Sequence, residues 1–167
     1  MDLTESSIVN VPRRVLAVDP GLSGAVFCIG LGAFTGRRDF RVPADIALAV
    51  KDALSEAPAP TFAVVEAVHA FPKQGVCSVW SFSEATAYAK AALCLCAPPG
   101  FRAREVPPQT WQGFFRKAGL ARGEFDSRQI CQKLFPSYPQ YFTRKLDHNS
   151  GDSVLIGVWG LMNFGEV

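Results

Sequence analysis

Residues 15–30 read VLAVDPGLSGAVFCIG. Two apolar runs, VLAV (15–18) and GAVFCI (24–29), flank a short segment of Asp, Pro, Gly and Ser. Each run is apolar on successive residues rather than alternate ones, the pattern of a strand covered on both faces. The residues between them carry turn chemistry. A chain with this stretch is committed to two adjoining buried strands. It also carries a problem, because Asp19 ends the first strand. A carboxylate there must be solvated, paired, or holding something.

The rest of the chain supplies partners for that pair. RRDFRV (37–42) is expected as a third strand completing a meander. PADIALAVKDALSEA (43–57) has an early proline and apolar Ile46, Ala49, Val50, Ala53 and Leu54 at helical spacing. After the APAP linker, TFAVVEA (61–67) reads as a strand buried on both faces. The helical crossover before it lets this strand lie parallel to VLAV. A long helix is expected over 78–97, a strand over FRAREVP (101–107), and helices from Pro108 to Lys117 and from about Gly123 to Leu134. PSYPQYFTRKLDHNSG is then a loop, and a last helix starts near Asp152 with Val154, Leu155, Val158, Leu161 and Met162 on its apolar face. Residues 1–12 read as a loose tail before one domain over 13–167. The order of elements predicts an α/β fold with a mixed five-stranded sheet flanked by helices.

Composition narrows the class. With 49% hydrophobic and 19% charged residues in 167, the chain can bury a core and is not disordered. Its net charge of +2 implies no partner, but Arg102 to Lys145 holds nine Lys/Arg against three Asp/Glu. A basic segment of this kind suits either a phosphate-bearing partner or a solvated charged face. Five cysteines, no CxxC pair and two histidines argue against a zinc finger or a disulfide framework. The thiols are expected to be reduced and buried, in an intracellular protein. No secretory h-region is read in the first twelve residues. The longest nearly apolar stretch, VLIGVWGLMNFG, falls short of the ~18 residues of a membrane span.

The carboxylates carry the functional signal. Asp19 ends the first strand and Glu66 the fourth, so parallel pairing would bring both to one sheet edge, where α/β sheets place their sites. Asp152 opens the last helix and Asp147 precedes it in the loop. Four converging carboxylates would repel one another unless cations lay between them. Oxygen donors suit Mg²⁺ or Mn²⁺, and two such ions can activate a water and stabilise a leaving phosphodiester oxygen. Each residue also has an ordinary role: Asp19 in a turn, Asp152 as a helix cap, Glu66 solvated at a strand end, Asp147 paired with Arg144 or Lys145. Spacing alone does not choose.

LAVDPGLSGAVF resembles the first motif of the RuvC-like Holliday junction resolvases, in the ribonuclease H-like superfamily. VVEAVHAFPKQGVCSVWSF resembles their second carboxylate region, EVPPQTWQGFF a segment leading into the last helices, and LDHNSGDSVLIGVWG the C-terminal acidic motif. The FPKQG variant is most similar to the phage and plastid-type (monokaryotic chloroplast) branch. The resemblance runs in order from about residue 15 to 160. It implies a ribonuclease H-like fold, a homodimer, and Mg²⁺-dependent nicking of four-way DNA junctions, with Mn²⁺ as a possible substitute. It makes Asp19, Glu66, Asp147 and Asp152 the catalytic, metal-binding carboxylates, with His148 as an alternative to Asp147. The source would be a bacterial or phage cytoplasm, or an organelle after removal of a transit peptide.

Such an enzyme would hold DNA by its backbone. Phe71, Lys73 and Gln74 lie in the loop after Glu66, and Arg116, Lys117, Arg122, Arg128, Lys133, Arg144 and Lys145 are candidate phosphate contacts. SYPQYFTRK mixes aromatic and basic residues as nucleic-acid grooves do, and reads as a mobile loop. Trp80, Phe82 and Trp111 are expected in the core or, for the first two, a dimer interface, with helix 78–97 as the interface element. Three other readings stay open. An actin-like or sugar-kinase phosphotransferase would need more chain and a second glycine-rich loop. A nuclease for RNA–DNA hybrids or flaps could share the motifs. A junction-binding module without cleavage would not need all four carboxylates.

Overall fold

VLAV and GAVFCI form the centre of a five-stranded sheet in the computed structural model, which describes residues 3–11, 13–21, 23–67 and 75–164. The strands are β1 (Arg14–Asp19), β2 (Ala25–Gly30), β3 (Ala33–Arg38), β4 (Phe62–Glu66) and β5 (Arg102–Val106). Their order is β3-β2-β1-β4-β5. β1, β2 and β3 pair antiparallel, while β4 runs parallel to β1 and β5 parallel to β4. The mixed sheet is the predicted one. Every residue of β1 and β2 is buried, as their unbroken apolar runs require.

Two layers cover the sheet. α2 (Pro43–Ser55) and α3 (Val76–Cys96) pack on the face that carries Leu16, Val18, Val26, Ala63 and Val65. The opposite face carries Val15, Ala17, Phe27, Ile29, Phe62 and Val64. It is covered by α6 (His148–Phe164), flanked by α4 (Pro108–Lys117) and α5 (Ser127–Leu134). α6 runs antiparallel to β1. Its Ser153 hydroxyl donates to the Ala17 carbonyl (3.1 Å), and Gly157 and Gly160 sit progressively nearer the strand's start, against Ala17 and Val15. A Cβ on Gly160 would lie 2.6 Å from Val64 Cγ2. Gly160→Ala should therefore cost about 1–3 kcal/mol in overpacking, more than the roughly 1 kcal/mol gained in helix propensity. Its urea midpoint should fall, and a rise would mean that α6 is not seated this closely.

Several expectations are displaced. Of RRDFRV only Arg37 and Arg38 lie in β3, which starts at Ala33. Leu31 and Gly32, both at positive φ (53° and 72°), close a two-residue hairpin between Gly30 and Ala33, so the turn comes earlier than the charged segment suggests. The expected loose tail contains α1 (Glu5–Val9), capped by Thr4 and Ser7, which buries Ile8 and Val9. α5 begins at Ser127 rather than Gly123 because the Asp126 carboxylate accepts from the Gln129 N–H (3.0 Å). α6 begins at His148, directly after a 3₁₀ turn over Lys145–Asp147, so Asp152 lies inside the helix and does not cap it. The aromatics of SYPQYFTRK are not a free groove. Phe142 is buried, Tyr138 stacks on Phe34 (4.3 Å between centroids), and Tyr141 meets Phe27 edge-on (5.0 Å). Cys28 and Cys131 are buried as expected, but Cys77, Cys94 and Cys96 are exposed on α3.

Candidate active site

Strand parity brings the carboxylates together. Along β1, Val15 and Ala17 face α6, so Asp19 does too; along β4, Phe62 and Val64 do, so Glu66 follows. The parallel register pairs Val18 with Val65, and one further step sets Asp19 beside Glu66. The first turns of α6 arrive over these strand ends and bring Asp152. The turn after Asp19 is closed by a bond from the Gly24 N–H to the Gly21 carbonyl (3.0 Å). A Cβ on Gly24 would stand against the Asp19 carbonyl oxygen, so this position requires glycine. Gly21, at φ +149°, lies under the ring of Phe82, which ties the turn to α3.

The three carboxylates feel one another. Burial holds the Asp19 carboxyl well above the ordinary range, and the charges of Asp152 and then Glu66 push it further. Glu66 is pushed up to about 7, mainly by burial, with Asp152 adding to the rise and a hydrogen bond from Trp111 opposing it. Asp152 is pushed up to about 6, again mainly by burial; Ser127 and the His148 imidazole pull it down, and Asp126 raises it. Among the described residues none of the three carboxylates has an ion-pair partner. Among the same residues no three acidic, imidazole or thiol side chains stand together as a group that could hold a metal ion.

Trp111 is fully buried, as expected, but it is more than core. Its indole Nε1–H donates to Glu66 Oε1 (3.0 Å). A buried indole N–H needs an acceptor, and that need was the signal available in the sequence. Trp111→Phe removes a donor that favours the ionised form of Glu66. The acid limb of any activity that needs Glu66 ionised should move up by about one pH unit, the equivalent of ~1.4 kcal/mol. An unmoved limb would show that Glu66 ionisation does not control the rate.

Asp147 is placed elsewhere. It is fully buried, and its Oδ1 pairs with Arg38 Nη1 (2.9 Å) and Arg144 Nε (2.8 Å). Its Oδ2 accepts from the Arg144 backbone N–H (2.8 Å), and Arg144 also pairs with Asp39 (2.6 Å). The structure thus joins Asp19, Glu66 and Asp152 and leaves Asp147 in a separate network that fastens the start of α6 to the end of β3. Arg38 had no sequence signal, because its partner lies 109 positions away in a different element.

The candidate DNA contacts are scattered. Lys117, Arg122 and Lys145 are exposed and carry no ion pair among the described residues. Arg116 donates to the Gly123 carbonyl (2.7 Å) and lies over Phe125, and Arg128 stands 3.8 Å from Asp126. Arg144 is committed to Asp39 and Asp147. Phe71, Lys73 and Gln74 lie outside the described residues.

No protein-family model matches the chain, and no curated protein matches it in sequence. Solved structures do match in fold. A Thermus thermophilus RuvC structure superposes with TM-score 0.60 at 16% identity, over 91% of this chain and 96% of RuvC. T. thermophilus RuvC in complex with Holliday junction substrate gives 0.63 at 14%, over 92% and 96%. The fold is ribonuclease H-like. The yeast mitochondrial Holliday junction resolvase Ydc2 gives 0.61 at 11%, over 93% of this chain and 80% of Ydc2. On this ribonuclease H-like frame, the coupled carboxylates occupy the carboxyl ends of the first and fourth strands and the first turns of the last helix.

Proposed function

We propose that this protein is a metal-dependent nuclease that resolves four-way DNA junctions as a two-fold dimer. The observation that carries the reading is the coupling of Asp19, Glu66 and Asp152 at the carboxyl ends of β1 and β4. The fold likeness to RuvC in complex with a Holliday junction supports the substrate class. The FPKQG and LDHNSGD segments favour the phage and plastid-type branch.

The donor chemistry fits a hard divalent cation. Three carboxylate oxygen sets, desolvated and mutually repelling, are costly when ionised, and a cation among them would relieve that cost. Asp19, Glu66 and Asp152 would hold Mg²⁺ or Mn²⁺, with His148 one turn before Asp152 as a further donor. When bound, the ion supplies an activated water and charge neutralisation at the phosphodiester. The chain's own part is positional. β1 and β4 fix two carboxylates in register, Trp111 orients Glu66, and the Arg38–Asp147–Arg144 network seats the helix that carries Asp152.

Two symmetric cuts call for two sites related by a two-fold axis. α3 offers the surface. Its buried side chains, Ala85, Ala89, Ala92 and Leu93, face α2 and the sheet, while Trp80 (72% exposed), Tyr88 and Leu95 (85%) stand outward with Ala87 and Ala91 between them. A long helix that is apolar on both sides is incomplete in a monomer. Ala91→Arg should leave the fold intact and convert a dimer to a monomer in sedimentation equilibrium; a monomeric unsubstituted protein would remove this part of the proposal.

The test of function is direct. A labelled four-way junction, the matching linear duplex and an RNA–DNA hybrid are incubated with the protein and Mg²⁺. Paired nicks confined to the junction are expected. Cutting of the hybrid alone would move the assignment to another ribonuclease H-like nuclease, and tight junction binding without cutting in Mg²⁺ or Mn²⁺ would leave a binding module.

A further inference from the structure

The carboxylates lie at the carboxyl ends of the strands. The opposite end of the sheet carries the opposite charge. Arg13 precedes β1, and Arg102 and Arg104 lie on β5. The register pairs Arg102 with Phe62 and Arg104 with Val64, so both arginines project to the α6 face. There the three guanidinium groups line a groove of about 430 Å³, together with Thr61, Phe62 and Phe164. Among the described residues no carboxylate lines it, and none of the three arginines forms an ion pair. Glu105, between them in sequence, projects to the other face and pairs with Lys90 of α3 (2.8 Å).

The groove's own chain uses few of these donors. Arg13 Nη1 donates to the Phe164 carbonyl at the end of α6 (3.3 Å), and Arg104 lies over the Phe164 ring (4.4 Å to the centroid). A guanidinium carries five N–H donors, so most remain free for a ligand. Charged residues on an edge strand such as β5 also discourage edge pairing. That role asks only for exposure, whereas here two edge residues meet a third arginine from the central strand's entry across one groove.

We propose that this groove is a second nucleic-acid contact, binding the phosphodiester backbone of a DNA arm at a distance from the cutting site. Guanidinium forks match phosphate oxygens bidentately, and three of them across one groove favour a polyanion. In strand register Arg104 lies level with Val64, two residues from Glu66, Arg102 lies level with Phe62, four residues away, and Arg13 comes six residues before Asp19, so the middle of the groove stands roughly 13 Å from the carboxylates. At 3.4 Å per nucleotide along a strand, an arm that follows the β5 edge would present here a phosphate about four nucleotides from the cut. The proposal rests on the reading that DNA is the partner.

The test uses the full chain and measures binding to the four-way junction and to a linear duplex over a salt series, in Ca²⁺ to suppress cutting. The variants are the double Arg102→Ala/Arg104→Ala and, as a charge-preserving control, Arg102→Lys/Arg104→Lys, each checked by thermal melting. Loss of two phosphate contacts should lower the slope of log K against log salt by about two. The lysine pair should keep most of that slope. A neutral methylphosphonate placed about four nucleotides from the cut should weaken binding by the unsubstituted protein and not by the alanine double variant. An unchanged slope in the alanine variant would overturn the groove assignment while junction cutting stands. Loss of binding to a poly-glutamate peptide with DNA binding intact would overturn it in favour of an acidic protein partner. If the unsubstituted protein binds neither DNA, the proposed function falls together with this inference.

Discussion

Asp19→Asn should abolish junction cutting and, in the same molecule, make the metal-free protein harder to unfold. The two effects have one cause. Asp19 is buried beside two other carboxylates, so its ionised form is disfavoured by desolvation and by repulsion. Neutralising it removes both costs. A gain on the order of 1–2 kcal/mol is expected near neutral pH, or a rise of roughly 2–4 °C in Tm for each kcal/mol. Cutting loses the charge stabilisation that a held cation gives the phosphodiester, worth several kcal/mol; at ~1.4 kcal/mol per tenfold that is about a thousandfold or more. Junction binding, which the proposed function assigns to other residues, should persist. A variant that loses both activity and stability would make Asp19 a structural turn residue instead.

The pH dependence follows with a definite sign. A carboxylate whose folded pKa is raised stays protonated in the folded chain after the unfolded chain has lost its proton. The folded state is then penalised as pH climbs from the unfolded value to the folded one. Glu66, at about 7, and Asp152, at about 6, set that window between the ordinary carboxylate range and neutrality, and Asp19, also raised, contributes with the same sign. For Glu66 alone the cost is about 3 kcal/mol once both states are ionised. The metal-free protein should therefore lose stability from about pH 4 to pH 7. Mg²⁺ or Mn²⁺ should restore stability most at the alkaline end and least where the carboxylates are protonated. Thermal melting across pH, with and without the ion, reads both effects. A metal-induced rise in Tm that is the same at both ends would detach the ion from these three residues.

What could be read in advance depended on the range of the interactions. β1, β2, β4 and the long helix α3 were legible because unbroken apolar runs and helical spacing are local signals. Asp19 and Glu66 were legible because each ends such a run. β3 was shifted because its turn is built on Leu31 at positive φ, a conformation that residue type does not advertise. α6 starts four residues before Asp152, because the stretch HNSG continues a 3₁₀ turn rather than breaking it. The aromatics of SYPQYFTRK looked like a nucleic-acid groove and are core, since Phe34, their main partner, lies about a hundred residues earlier. The Trp111–Glu66 bond and the Arg38–Asp147 pair are tertiary in the same sense.

Asp147→Ala should move stability in the direction opposite to Asp19→Asn. Asp147 is buried against two cations, Arg38 at 21% exposure and Arg144 at 50%. Removing it leaves Arg38 with the Tyr141 and Gln140 carbonyls and Asp39 at 3.7 Å in place of its close carboxylate, and frees the 3₁₀ turn that delivers α6; breaking a buried pair costs about 3–5 kcal/mol. Asp147→Asn should lose most of the same amount, because an amide cannot match the charge of two guanidinium groups. Arg38→Ala should lose less, since Arg144 still faces the carboxylate. The cutting rate per folded molecule, measured well below the melting temperature at saturating Mg²⁺, should fall less than about tenfold in Asp147→Asn, as for a residue that positions a helix and holds no ion. A fourth metal ligand would behave differently. Its neutralisation would relieve repulsion, raise Tm in the metal-free protein and abolish cutting, as at Asp19. The sign of the stability change therefore separates a carboxylate held for a cation that arrives from outside from one already neutralised by the chain itself.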